Sequence, residues 1–458
     1  TNGSTRAVEI QRQLMPAMLG WFAEGPNPDY GLLAFRQLSE ALGTSSWYLR
    51  ALRDEGWMAQ RLARIASSSR YVVNLLMRAP EMVQMLASSE NLELRPRELL
   101  ARSMSRDIGR ASDKAAAVAS VRALRRSELC RIALADVLGA ADVTTVGLAL
   151  SDLAGATLDA ALELARREVE APPVGVIGMG RWSGYELGYA SDADAMFVIP
   201  DGSGPEEQAA ATRLVRLACD LVGNPGPDPA MVVDTGLRPE GKGGPLVRTV
   251  SSYLTYYAKW SSVWEAQALL RARPAAGEQE LASAVLGELG GLRYPDGGLT
   301  TAQVVEIRRL KSRMETERIP RGMDKEHHLK LGSGGLSDVE WAVQLLQLKH
   351  AGARPVLRTS STLQAIDAAE GLELLSAEQA TDLRQGWLHV SRVRNAIMLV
   401  RGRPGDALPV DYREQSAVAE LAGYGPGQRS RLVDDTIRVM RRASRVVDRV
   451  FWDEAPEE

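Results

Sequence analysis

The sequence predicts an α+β protein that is predominantly helical, with a small mixed sheet set between helical flanks. Three observations carry this expectation. Apolar residues recur at helical spacing in the first and last thirds of the chain, and strand-like runs with glycine turns are confined to a middle segment. The third is composition: Ala, Leu and Arg dominate and aromatics are only 5%, which favours helices. The 458 residues leave room for two or three domains. The expected division is a helical lead-in or linker domain over residues 1–170, a strand-and-loop domain over 171–275, and a C-terminal helical bundle over 276–458.

In the lead-in, Leu62, Ile65, Val72 and Leu76 follow one helical pattern until Pro80 stops it, and Leu148, Leu153, Leu158 and Leu162 form another before Ala171-Pro172-Pro173. The middle segment opens with the β-like run Val174-Gly175-Val176-Ile177, followed by the glycine-rich turn Gly178 to Gly184. A second strand is expected to carry Ser191-Asp192-Ala193-Asp194 into Met196-Phe197-Val198-Ile199, ending at Pro200-Asp201-Gly202. A helix over Glu206–Leu221 leads to Met231-Val232-Val233-Asp234 and a second glycine-rich loop, Leu237 to Gly244. Near the C-terminus Val433, Ile437, Met440, Val447 and Val450 make an apolar stripe opposite Arg438, Arg441, Arg442, Arg445 and Arg449, the pattern of a solvated face over a buried stripe. Ser337-Asp338-Val339-Glu340 has the form of a capping box that starts a helix.

The chemistry concentrates at Asp192 and Asp194. Alternate residues of a strand point to one face, so the two carboxylates project together and repel. They either share a proton or hold a divalent cation, and an oxygen-rich site of this kind suits Mg²⁺ with substrate phosphates. Gly178 and Gly180 let backbone N–H groups approach a phosphate closely, with Ser183 beside them. Asp234, ending a β-branched run, supplies the third acid that two-metal chemistry requires, while Arg238 and Lys242 are placed to offset phosphate charge.

Other readings fare less well. The spacing Gly178-x-Gly180-x-x-x-Gly184 does not fit G-x-G-x-x-G, and no G-x-x-x-x-G-K-[ST] segment is present. A net charge of −3 and the absence of aromatics within a basic stripe disfavour nucleic acid as partner. Cys130 and Cys219 with His327, His328, His350 and His389 make no zinc spacing. No run of about 18 apolar residues and no leader are apparent, so no membrane association and a cytoplasmic location are expected; a start at Thr1 suits a fragment or a processed terminus.

Four segments resemble the glutamine synthetase adenylyltransferases, within the DNA polymerase β-like nucleotidyltransferase superfamily. They are Gly178-Met179-Gly180-Arg181 through Glu186-Leu187-Gly188-Tyr189-Ala190-Ser191-Asp192-Ala193-Asp194; Asp234-Thr235-Gly236-Leu237-Arg238-Pro239-Glu240-Gly241; Trp264 to Arg273; and Lys330 to Glu340 with its Gly334-Gly335-Leu336 core. Trp182-Ser183 departs from the family's more frequent Leu-Gly pair, Trp341 from its Phe, and Gly180-Arg181 stands where the superfamily more often has glycine-serine.

The resemblance implies that residues 171–275 form a polymerase β-like nucleotidyltransferase domain with ATP as substrate and Mg²⁺ held by Asp192, Asp194 and Asp234. Gly178, Gly180, Arg181, Ser183, Ser191, Arg238 and Lys330 would bind the nucleotide, Lys330 from a glycine-rich loop that closes over it. It implies glutamine synthetase as protein substrate, its tyrosine hydroxyl receiving AMP as pyrophosphate leaves, with the PII signal protein and glutamine as regulators of nitrogen metabolism. Family members carry two such halves; the single Asp-x-Asp here resembles one of them, closer to the carboxyl-terminal, AMP-attaching half. The alternatives are the adenylyl-removing half, a related uridylyltransferase, or a nucleotide-sensing scaffold without catalysis.

Overall fold

A computed structural model of the chain describes residues 5–42, 47–48, 51–52, 56–226, 228–318 and 327–453. Among the described residues, seven α-helices precede the sheet: α1 (Thr5–Glu24), α2 (Pro28–Leu42), α3 (Gly56–Ser68), α4 (Arg70–Arg78), α5 (Arg97–Arg110), α6 (Lys114–Val137) and α7 (Val143–Arg166). The pattern expected to run unbroken to Pro80 is two helices. Ser69 leaves the helical conformation, its hydroxyl accepts the Val72 N–H to cap α4, and the same hydroxyl donates to the Leu399 carbonyl of a distant helix. Asp113 and Asp142 cap α6 and α7 in the same way.

Helix α7 is long and apolar enough to cross a membrane by composition, yet 78% of its most apolar window is buried. It is apolar over most of its surface because most of that surface is enclosed, by α5, α6, α9 and the sheet. Leu153, Leu158 and Leu162 are in the core, whereas Leu148, in the second turn of the helix, is exposed.

The sheet contains β1 (Gly175–Met179), β2 (Ala193–Ile199), β3 (Val233–Asp234), β4 (Val247–Thr249) and β5 (Ala272–Gly277). Its order is β3-β2-β1-β5; β1 runs antiparallel to β2 and β5, and β3 and β4 both lie parallel to β2, one at its start and one at its end. Four helices complete this region: α8 (Gly180–Ser183), α9 (Pro205–Gly223), α10 (Val250–Lys259) and α11 (Val263–Leu270). The two-residue period of the strands sorts the side chains. Val176, Ala193, Ala195, Phe197 and Ile199 enter one core with α7 and α9, while Ile177, Met179, Met196 and Val198 enter another with Tyr253 and Tyr257 of α10. Helix α12 (Gln279–Glu288) packs on β1 and β5, so the sheet's hydrophobic support continues beyond residue 275, and on the other side it shares one core with the lead-in helices.

The C-terminal helices are α13 (Thr301–Arg318), α14 (Leu336–His350), α15 (Thr362–Gly371), α16 (Ala377–Arg401), α17 (Tyr412–Leu421) and α18 (Arg429–Val447), around a core that includes Val339, Trp387, Val390, Met440 and Phe451. The buried stripe of α18 is Leu432, Thr436, Met440, Ala443 and Val447, rotated from the expected one; Val433 and Ile437 are half-buried. Ala443 determines the approach, since a Cβ on Gly386 of α16 would come within 2.9 Å of its methyl. The expected capping box also gives way. Gly335 is the N-cap of α14, Ser337 lies inside its first turn, and Asp338 accepts the Gly334 N–H at 2.7 Å while pairing with the buried Lys311.

Candidate active site

Strand β2 begins at Ala193, two residues later than expected, so Asp192 stands at its mouth and Asp194 inside it. Asp194 shares its face with Met196 and Val198, the side covered by α10, and Asp192 precedes it by the same two-residue step. The parallel register of β2 with β3 places Asp234 opposite Asp194. Gly180 closes the other side. Its φ is +55°, and a Cβ there would lie 2.8 Å from the Asp194 carboxylate, so a side chain is excluded by conformation and by space.

These carboxylates are poorly compensated. Burial, then the charges of Asp234 and Asp192, push Asp194 up to about 6, against the opposing pull of Lys330 and Arg271. Asp192 is raised by partial burial and by Asp234, again opposed by Lys330. Lys330 is exposed and is the cation that acts on both acids. One Asp234 oxygen accepts the Gly236 N–H at 2.7 Å. Among the described residues no three acidic, histidine or cysteine side chains are already gathered as a metal-binding group. The donor chemistry nevertheless fits a divalent cation, since like-charged oxygens on one face gain from a positive ion between them.

Behind Gly180 lies a second cluster that sequence reasoning missed. Arg271 Nε donates to the Gly180 carbonyl at 3.1 Å; its two Nη atoms pair with Glu186 and, at 3.3 Å, with Glu340, and Nη1 also donates to Thr362 Oγ1 at 3.2 Å. Glu186 accepts the Thr362 N–H at 2.6 Å. Burial disfavours the charged form of Glu340, but Arg271, Arg181 and Lys330 outweigh it and hold the carboxyl low. The cluster joins the turn after β1 to the starts of α14 and α15. Glu186 and Arg271 both fall in the quoted family segments; the signal was an arginine directly after the apolar Ala268-Leu269-Leu270, where solvation is not available.

Several expected nucleotide donors are turned elsewhere. Arg181 donates to the Glu186 carbonyl at 2.8 Å and lies 5.4 Å from the Trp387 ring, with desolvation bringing it down to about 10, so it joins the cluster and not the acid face. Ser183 is fully buried behind the turn, its hydroxyl without a hydrogen-bond partner among the described residues. Gly178 is a packing glycine in β1, where a Cβ would meet that of Ala275 at 2.7 Å. Arg238 is buried and directs its guanidinium at its own loop, to the Gly244, Thr235 and Lys242 carbonyls and to Thr235 Oγ1, with distances from 2.7 to 3.2 Å. Ser191 accepts the Gly188 N–H at 3.0 Å and shapes the approach to Asp192. Gly180 and Lys330 are the two that the structure brings to the acids. Asn395 of α16 is an unforeseen neighbour, its Oδ1 2.8 Å from where a Cβ on Gly188 would be.

Residues 59–288 match the family model described as glutamate-ammonia ligase adenylyltransferase, and residues 306–451 match that of GlnD PII-uridylyltransferase. The chain is 54% identical over 455 residues to a bifunctional glutamine synthetase adenylyltransferase/adenylyl-removing enzyme of Cutibacterium acnes, covering 99% of this chain and 46% of that protein. Proteins of the same name from Streptomyces avermitilis and Mycolicibacterium smegmatis are 48% and 47% identical, each over 98% of this chain and 48% and 46% of their own lengths. The chain thus spans about half the length of the curated relatives it matches. The first match takes in half the chain and encloses the whole acid-bearing sheet, and the chain belongs to the glutamate-ammonia ligase adenylyltransferase family.

Proposed function

We propose that this chain transfers AMP from ATP to a tyrosine hydroxyl of glutamine synthetase with release of pyrophosphate, as the AMP-attaching half of a two-site enzyme. The observation that carries the reading is the β2/β3 register, which sets Asp234 across from Asp194 on the face where Asp192 also points and where Lys330 acts on the acids. The names of the relatives support glutamine synthetase as acceptor.

In this reading Asp192, Asp194 and Asp234 hold Mg²⁺. When bound, Mg²⁺ neutralises triphosphate charge and favours the ionised form of an acceptor hydroxyl whose ordinary pKa is near 10. Gly180 leaves the room beside Asp194 that a phosphate needs. Lys330 offers an ammonium to the triphosphate. Arg238 acts at one remove, fixing the loop that follows Asp234. The tyrosine oxygen forms its bond to the α-phosphorus as the bond to the β-phosphate oxygen breaks, and the tyrosine proton passes to Asp234 or to solvent. The PII protein and glutamine are the regulators this reading proposes, and the substrates imply a cytoplasmic setting.

Pyrophosphate release tests the proposal. With glutamine synthetase, ATP and Mg²⁺, the chain should release one pyrophosphate per AMP incorporated. Release of ADP from adenylylated glutamine synthetase and inorganic phosphate, without the forward reaction, would assign the chain to the removing reaction instead.

A further inference from the structure

The segment from His328 to Gly335 carries Lys330, the exposed cation that acts on Asp192 and Asp194. A lysine ammonium on its flexible four-carbon stem wanders unless the backbone beneath it is held. Here the backbone is held closely. His328 Nδ1 accepts two N–H groups, from Lys330 at 3.3 Å and from Leu331 at 3.1 Å. The His328 carbonyl accepts the Gly332 N–H at 2.7 Å, and the Lys330 carbonyl accepts the Ser337 N–H at 2.9 Å. Leu329 donates to the Asp406 carbonyl at 2.8 Å and accepts from the Leu336 N–H at 3.1 Å. The far end is fixed as firmly. The Gly334 N–H goes to Asp338, which pairs with the buried Lys311, and a Cβ on Gly334, at a φ of +69°, would run into the Met440 carbonyl of α18.

A chain of contacts carries this loop to the acids. Helix α14 starts where the loop ends, and its Glu340 pairs with Arg271 at 3.3 Å. Arg271 Nε donates to the Gly180 carbonyl at 3.1 Å, and Gly180 borders Asp194. Lys330 accordingly acts on Glu340 as well as on Asp192 and Asp194. The His328 ring is buried, and burial holds its pKa below the ordinary value; Asp406 opposes the shift, while Arg394 and Lys330 reinforce it. A ring nitrogen that accepts two N–H groups carries no proton, so the neutral imidazole keeps its proton on Nε2.

We infer that His328 is a positioning residue for ATP: through Nδ1 it holds the backbone at Lys330 and Leu331, and so keeps the Lys330 ammonium over the acids where the triphosphate lies. A neutral acceptor does this without bringing a charge of its own, which leaves the charge of the lysine for the phosphates. The inference rests on the proposed reaction in taking ATP as the nucleotide held at the acids.

The test separates the acceptor at Nδ1 from the bulk of the ring. Asparagine puts an amide oxygen near the place of Nδ1, whereas glutamine carries its amide one carbon farther out and alanine has none. Equilibrium binding of ATP with Mg²⁺ and the thermal midpoint are measured for the wild type, His328→Asn, His328→Gln, His328→Ala, Lys330→Ala and the double variant His328→Gln/Lys330→Ala. His328→Gln and His328→Ala should each raise the ATP Kd about threefold or more, the scale of one hydrogen bond, and His328→Asn should return it toward the wild-type value. The double variant should bind ATP no more weakly than Lys330→Ala, because His328 acts through that lysine. Equal Kd values for His328→Asn and His328→Gln, or losses that multiply in the double variant, would overturn the inference. So would a lowered thermal midpoint in His328→Gln and His328→Ala with an unchanged ATP Kd, which would make the histidine a structural cap alone. Wild-type ATP binding without AMP transfer to glutamine synthetase would remove the proposed reaction, and the difference between His328→Asn and His328→Gln would still uphold the inference. A wild type that binds no ATP overturns both.

Discussion

Two charge clusters flank the Gly180 turn, and they are built on opposite terms. In front stand Asp192, Asp194 and Asp234, three anions opposed mainly by the exposed Lys330. Behind lie Glu186 and Glu340 with Arg181 and Arg271, two anions and two cations whose hydrogen bonds are largely made within the fold. A buried ion pair with its partners in place holds elements together but has nothing left for a ligand. Like charges held apart from their counter-ions have the reverse character: they weaken the empty protein and favour whatever brings positive charge. The difference separates a site from a strut when both are rich in titratable groups.

The largest effect should come from breaking the front cluster. Asp192→Asn is expected to lower AMP transfer by at least about 10³-fold, the scale of losing a group that stabilises developing charge, while the thermal midpoint stays level or rises because a repulsion is removed. A variant that transfers AMP at wild-type rate would end the assignment. Breaking the back cluster should do the opposite. Arg271→Met leaves Glu186 and Glu340 buried without the cation that both pair with directly and should cost about 3–5 kcal/mol in stability, read as a fall in the thermal unfolding midpoint. Arg271→Lys should recover part of that stability but less of the turnover, since lysine cannot reach Gly180, Glu186 and Glu340 together.

A third prediction serves as a control outside both clusters. His389 of α16 is enclosed between Thr436, at 2.8 Å, and the Tyr424 ring, and burial brings its pKa down to about 4. Asp435 opposes that shift, and Arg392 and Arg438 reinforce it. The unfolded chain binds this proton more tightly than the folded one, so the contribution is complete above about pH 6.5 and is lost as pH falls toward 4, an amount on the order of 3 kcal/mol. Thermal midpoints measured across that range for wild type and His389→Gln should converge at the acid end. The smallest effect is expected at Lys330. Its removal as Lys330→Ala should raise the apparent ATP constant by about five- to tenfold with little change in stability, as befits one exposed cation; an unchanged constant would take the loop out of the site.

Much of the front cluster was legible because strands have a period of two. Given the run through Ile199, Asp192 and Asp194 had to share a face, and Asp234 announced itself by ending an apolar run. The back cluster was hidden by long-range packing: nothing local to Arg271 indicates that Gly180, 91 positions earlier, receives its Nε. Arg181, Ser183 and Arg238 illustrate the same limit, because a cation or hydroxyl in a glycine-rich segment reads alike whether it faces a phosphate or its own backbone. Helix boundaries failed where one side chain decided them, as at Ser69, whose hydroxyl both caps α4 and binds the Leu399 carbonyl. The capping box before Glu340 failed because the helix starts two residues earlier, with Gly335 as its N-cap, and Asp338 takes the Gly334 N–H.

The most direct test of the central claim is the intact mass of purified glutamine synthetase after incubation with this chain, ATP and Mg²⁺, with the Asp192→Asn chain in parallel. The account predicts the gain of one AMP per subunit, located on a tyrosine and absent with the variant. An unchanged mass with the wild-type chain, under conditions where it binds ATP, would contradict it.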